Sequence, residues 1–183
     1  MRVVGIDPGT VVVGWACLEV APRRASTQRR RARNEVSCGW GGSIRLVDSG
    51  TLRLGQRQPI EQRLLALGRG LDALLERLAP TVLAVEEAYT GRSPQSSLRI
   101  GEARGVVLFH AAAHRLQIAQ YPPATIKKRV AGSGAASKQV LAKMTAAGLG
   151  RPLDGLPADE TDAIATALCH CFDPVHVGFP ENP

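Results

Sequence analysis

Two short apolar runs in this chain each end in an acid. Val3-Val4-Gly5-Ile6 leads into Asp7, and Leu83-Ala84-Val85 leads into Glu86. Runs of this length read as strands buried on both faces of a sheet. A further pair, Asp159 and Asp162, stands three residues apart where an alanine-rich helical segment opens, so both lie on one face of that helix. Acids at strand ends and at a helix start converge when those elements pack side by side. Converging carboxylates repel one another and need a cation. The pattern therefore predicts a magnesium-dependent site.

The elements around these acids follow from periodicity and turn chemistry. Residues 2–6 and 11–20 read as strands joined by Asp7-Pro8-Gly9-Thr10, where Pro fixes φ and Gly permits a positive φ. Residues 44–54 resume strand character. A helix over Pro59–Leu78 is marked by Leu64, Leu67, Leu71, Leu74, Leu75 and Leu78 at three-to-four spacing. A strand is expected at Thr81–Glu86, a helix from a cap at Ser96 or Ser97 to about His114, and a strand at Leu116–Tyr121. Helices near 123–131, 137–148 and 159–172 complete the chain. Three consecutive strands followed by alternating helix and strand predict an α/β fold. Its five-stranded mixed sheet has helices on both faces, and its first three strands form an antiparallel meander.

At 183 residues the chain is expected to form a single domain with a sizeable core. No apolar run approaches the length of a membrane span, and the N-terminus starts directly in a strand, so a cytoplasmic location is expected. Cys17, Cys38, Cys169 and Cys171 lack metal-finger spacing, and Cys169-His170-Cys171 reads as a helix end. The formal charge is +7. Six arginines (Arg23, Arg24, Arg29, Arg30, Arg31 and Arg33) against Glu35 place +5 of it in residues 21–35. Residues 21–43 carry no apolar period and read as a long, basic hairpin-loop insertion. A basic balance suggests a polyanionic partner, while a solvated arginine-rich loop is the plainer reading.

Glu86 and Glu87 compete for the second acidic position. Neighbours in a strand point to opposite faces, so one of them joins Asp7; Glu86, directly behind the apolar run, is the better candidate. Asp159 has a structural alternative as the N-cap of its helix. Four acids meeting at one point suit two divalent ions about 4 Å apart, and hence in-line phosphodiester hydrolysis with no side-chain nucleophile.

These residues, in this order, resemble the RuvC family of Holliday-junction resolvases, crossover-junction endodeoxyribonucleases on an RNase H-like fold. The resemblance runs from Arg2 to about Phe172. Gly5-Ile6-Asp7-Pro8-Gly9-Thr10 is similar to the family's opening motif, and Val85-Glu86-Glu87-Ala88-Tyr89 to its second acidic motif. Leu98 to Gly105 resembles the next helix with its Gly-x-Ala-Arg-Gly run, which contains Arg104. Lys127 to Lys138 resembles the lysine-bearing segment, and Asp159-Glu160-Thr161-Asp162-Ala163 the final acid pair.

The resemblance implies that Asp7, Glu86, Asp159 and Asp162 are catalytic acids holding two magnesium ions, with manganese as the alternative. It implies that Lys127, Lys128, Lys138 and Arg104 contact DNA, and that Tyr89 lies against bases at the junction centre. It implies four-way junction DNA as substrate, a homodimer, and a branch-migration helicase as partner. The helix at 103–114 offers a surface for that dimer, with core packing as its other reading. The arginine-rich segment departs from the family pattern, and so does the chain's ending at Pro183 without a basic tail.

Other readings remain open at this stage. Gly5-Ile6-Asp7-x-Gly9-Thr10 also resembles the phosphate loop of acetate-kinase, sugar-kinase and actin-like ATPases, but those have two lobes and this chain has room for little more than one. An RNase H-like nuclease acting on structured RNA and a non-catalytic junction-binding module are the remaining alternatives.

Overall fold

The computed structural model describes residues 1–21, 36–37, 43–87 and 94–173. Strands β1 (Arg2–Asp7), β2 (Val12–Ala21), β3 (Val36–Ser37), β4 (Ser43–Arg53), β5 (Val82–Glu86) and β6 (Gln117–Tyr121) form one sheet in the order β3-β4-β2-β1-β5-β6. Neighbours from β3 to β1 pair antiparallel, whereas β1, β5 and β6 are parallel. Five strands carry the sheet as expected. The sixth, two-residue β3, lies inside the segment read from sequence as a loop. It was illegible because two residues carry no periodicity. The remainder of the arginine-rich segment lies outside the described residues.

The parallel half requires crossovers, and two helices supply them: α1 (Ile60–Leu78) between β4 and β5, and α2 (Pro94–Ala113) between β5 and β6. Helix α2 runs from at least Pro94, so Ser96 and Ser97 lie within it and do not cap it. Helices α3 (Pro123–Ala131), α4 (Lys138–Leu149) and α5 (Ala158–Cys171) follow. Ser137 caps α4 by accepting the Val140 backbone N–H.

Strand alternation sorts the core into two layers. Val3, Ala16, Leu18, Val82 and Ala84 face the layer that contains α5. Val4, Ile6, Val13, Trp15, Cys17, Leu83 and Val85 face the leucines of α1 and the buried Ala103, Val107 and Ala111 of α2. Because side chains alternate along a strand, Gly5 and Asp7 share the face of Val3, and Glu86 shares the face of Val82 and Ala84. Glu86 is thereby directed to the same side of the sheet as Asp7.

Two glycines on that face let α5 lie directly on the sheet. A Cβ on Gly5 would fall 2.2 Å from the Ala163 carbonyl oxygen, and one on Gly14 would fall 1.9 Å from the Asp159 carbonyl oxygen. Both obstacles are backbone, which cannot yield without moving the helix. Gly14 pairs with Asp7 across β1 and β2. The missing side chain therefore brings the first turn of α5 over the end of β1.

Gly14→Ala is expected to lower stability by about 1–3 kcal/mol through overpacking. Gly101→Ala, on exposed helix surface with nothing within 4 Å of its Cβ, is expected to raise it by about 0.5–1 kcal/mol. Urea unfolding of the two variants checks the contrast.

Candidate active site

A cleft of about 640 Å³ opens at the carboxyl ends of β1 and β5, and Asp7, Glu86, Asp159 and Asp162 all line it. Continuing the Ile6–Val85 pairing by one step sets Asp7 beside Glu86. Asp159 and Asp162 descend from the first turns of α5. Pro157 is the N-cap of that helix, with no side-chain cap bond, so Asp159 does not act as the cap. Glu87, the competitor of Glu86 for the second acidic position, also lines the cleft.

Three bonds fix this arrangement. Ser49 Oγ on β4 donates to Glu160 Oε1 at 2.6 Å, anchoring the buried Glu160 beside the two acids of α5. Arg63 Nη1 on α1 donates to the Thr10 carbonyl at 3.0 Å and braces the Asp7-Pro8-Gly9-Thr10 turn. The Glu87 backbone N–H donates to the Tyr121 carbonyl at 2.9 Å, holding the end of β5 against β6.

The acids act on one another. Burial pushes the Asp7 carboxyl up to about 7, reinforced by Asp162, Glu86 and Asp159 and opposed by Lys138. Burial also raises Glu86, again with Asp162 adding to it and Lys138 and Lys127 opposing. Lys138 Nζ donates to Asp162 Oδ2 at 3.3 Å, and that carboxylate raises the lysine's pKa. Lys127 lines the same cleft from α3.

Oxygen donors of this kind suit a hard divalent cation. Among the described residues, no three acidic, histidine or cysteine side chains are gathered into a ready ligand cluster. The four carboxylates instead share a cleft in which burial first, and their mutual repulsion second, raises Asp7 and Glu86. Their chemistry fits a bound cation, which would relieve that repulsion.

The structure separates the remaining predicted residues. Lys128 is exposed on α3, outside the lining of the cleft. Arg104 also stands outside it, with a guanidinium nitrogen donating to Gln120 on β6. Tyr89 lies outside the described residues. Sequence reasoning missed Gln95, Ser96 and Arg99, which line the cleft from α2. Arg99 follows Ser96 by three residues and Gln95 by four, a legible sign of one helix face. It also missed the Arg63 brace and the Glu160 anchor, which depend on contacts distant in sequence. Cys169, His170 and Cys171 are buried near the end of α5, where His170 Nδ1 meets the Tyr121 hydroxyl at 2.8 Å.

Comparison with known proteins identifies relatives of the whole chain. The family model for "Crossover junction endodeoxyribonuclease RuvC" matches residues 29–170. A crossover junction endodeoxyribonuclease RuvC from Chloroflexus aggregans is 38% identical over 172 residues, covering 94% of this chain and 93% of the relative. One from Dehalococcoides mccartyi is 37% identical over 170 residues, covering 93% and 92%. The structure of Thermus thermophilus RuvC in complex with a Holliday junction substrate superposes with a TM-score of 0.76 at 27% identity, covering 94% of this chain and 93% of that one. The yeast mitochondrial resolvase Ydc2, at 12% identity and a TM-score of 0.59, shares the fold.

The architecture is RNase H-like, with Asp7 and Glu86 at the carboxyl ends of adjacent parallel strands and Asp159 and Asp162 on α5. The chain belongs to the RuvC family of crossover junction endodeoxyribonucleases.

A raised carboxyl pKa has a defined effect on stability. The folded protein holds the Asp7 proton up to about pH 7, whereas an unfolded aspartate releases it near 3.8. Stability from this group is fully present below pH 3.8 and is lost as pH rises through about 7. Asp7→Asn in metal-free buffer at pH 8 is expected to raise the melting temperature by about 2–4 °C, the response to roughly 1 kcal/mol in a domain of this size. The gain shrinks toward pH 4, and thermal melts at both pH values check it.

Proposed function

We propose that this protein resolves four-way DNA junctions by paired symmetric phosphodiester cuts, using divalent magnesium, or manganese in its place, at the acidic cleft. The observation that supports this reading most is the meeting of Asp7, Glu86, Asp159 and Asp162 in one cleft that also contains Lys127 and Lys138. The relatives' names supply the reaction class, and the name of the Thermus structure supplies the substrate.

Asp7, Glu86, Asp159 and Asp162 would hold the metal. When bound, it supplies Lewis-acid stabilisation of the charge that develops on phosphate oxygens, and it lowers the pKa of attacking water. Asp7 must give up its proton to serve as a ligand, so the cation competes with that proton and its binding strengthens as pH rises. Lys127 and Lys138, on α3 and α4, hold the neighbouring backbone phosphates and fix the scissile bond over the acids. The cut needs no nucleophilic side chain.

Two symmetric cuts suit a two-fold dimer. The groove between α1 and α2 is the surface we assign to that contact. Leu65 and Phe109 line it and are 47% and 68% exposed, with Leu98, 64% exposed, on the same helix α2 as Phe109. Large apolar side chains grouped along a groove mark an interaction surface. Phe109→Glu is expected to convert a dimer into a monomer in sedimentation velocity.

The decisive assay is cleavage of a synthetic mobile four-way junction. The wild-type protein is expected to give paired nicks in magnesium, and Asp7→Asn to bind the junction but cut roughly 100-fold more slowly or worse, since even residues behind metal ligands cost 10–100-fold. Binding without cutting by both proteins, in magnesium and in manganese, would leave a junction-binding module. Equal binding of junction and duplex would turn the search to structured RNA.

A further inference from the structure

The acidic cleft opposes a polyanionic substrate. Asp7, Glu86, Glu87, Asp159 and Asp162 line it, against the cations Arg99, Lys127 and Lys138. Lys138 pairs with Asp162 at 3.3 Å, and Lys127 acts on Glu86. Both lysines belong to the α3 and α4 side. Arg99 belongs to α2, and its counter-charge lies elsewhere. Its Nη1 donates to Glu102 Oε1 at 3.2 Å and Oε2 at 3.0 Å. Glu102 is not among the cleft-lining residues; it lines the groove between α1 and α2.

Arg99 therefore lines the cleft, while the carboxylate that pairs with it belongs to a residue that does not. Among the described residues these contacts use Nη1 alone, and an arginine carries five N–H donors in a planar fork. Carboxylate and phosphate oxygens are matched by that same fork. The Arg99 and Glu102 side chains are 39% and 30% exposed at i,i+3 spacing, and ion pairs of this kind are weak and yield readily.

We propose that Arg99 is a phosphate-binding residue of this cleft, gripping the DNA backbone from the α2 side while Lys127 and Lys138 grip it from the other. Glu102 keeps the guanidinium oriented until a phosphate arrives. This rests on the nucleolytic reading above. It adds a contact that the lysine-bearing segment does not supply, and it puts cations on both sides of the acids.

The test measures binding of a fluorescent four-way junction and of plain duplex across a salt series. It uses full-length protein carrying Asp7→Asn, so that the DNA stays intact. Each phosphate contact contributes about −0.9 to the slope of log K against log salt. Adding Arg99→Gln is expected to flatten the slope by about one unit and weaken binding about tenfold at 0.1 M salt. Arg99→Lys is expected to keep the slope, and Glu102→Gln to keep both slope and affinity. Thermal melts confirm that each variant is folded.

An unchanged slope for Arg99→Gln would overturn the proposal. So would a slope flattened equally by Glu102→Gln, since the pair would then only support α2. Equal affinity of the parent for junction and duplex would count against junction specificity alone, because the Arg99 comparison is read on either DNA.

Discussion

The first turns of α5 lie directly on the sheet, and the cleft depends on that contact. Side chains at Gly5 or Gly14 would strike helix backbone at 2.2 or 1.9 Å. With a conventional spacer of side chains between helix and sheet, Asp159 and Asp162 would stand away from Asp7 and Glu86. Two absent side chains thus do what four acids cannot do for themselves, which is to hold like charges together. Ser49 and Glu160 secure the helix laterally, and Arg63 secures the turn beneath it.

Assembling these charges leaves the cleft electrostatically unsatisfied. Asp7 is held near a neutral-range pKa by burial first and by its three acidic neighbours second. Lys138 offsets part of this through Asp162, yet its side chain is 76% exposed, so solvent screens the pair. Hydrophobic packing on both faces supplies the stability that tolerates such a site. Val3, Val4 and Ile6 behind Asp7, and Leu83, Ala84 and Val85 behind Glu86, are fully buried. The same apolar runs that made the strands legible thus also hold the acids against their repulsion.

Much of this was readable from the chain because the relevant signals are local. The buried runs, the leucine period of α1 and the three-residue spacing of the last acids each lie within a few residues, and the strand face of Glu86 follows from parity. Motif resemblance joined these local readings into one family, and the matching relatives support it. What escaped was tertiary. Arg63, Ser49 and Glu160 act across separations of 53 and 111 residues, for which one sequence offers no period. Arg99 was visible within a motif, but only the packing of α2 beside the cleft gives it chemistry. Strand β3 is too short to announce itself.

The central claim is that the four carboxylates form one cation-binding centre. Calorimetric titration of magnesium and manganese into the wild-type protein, Asp7→Asn and Asp162→Asn at pH 7.5, without DNA, tests it most directly. The account predicts binding by the wild type and at least about tenfold weaker binding by each variant, because one absent carboxylate removes a ligand from the shared centre. Equal binding by all three proteins, or none by the wild type, would contradict it.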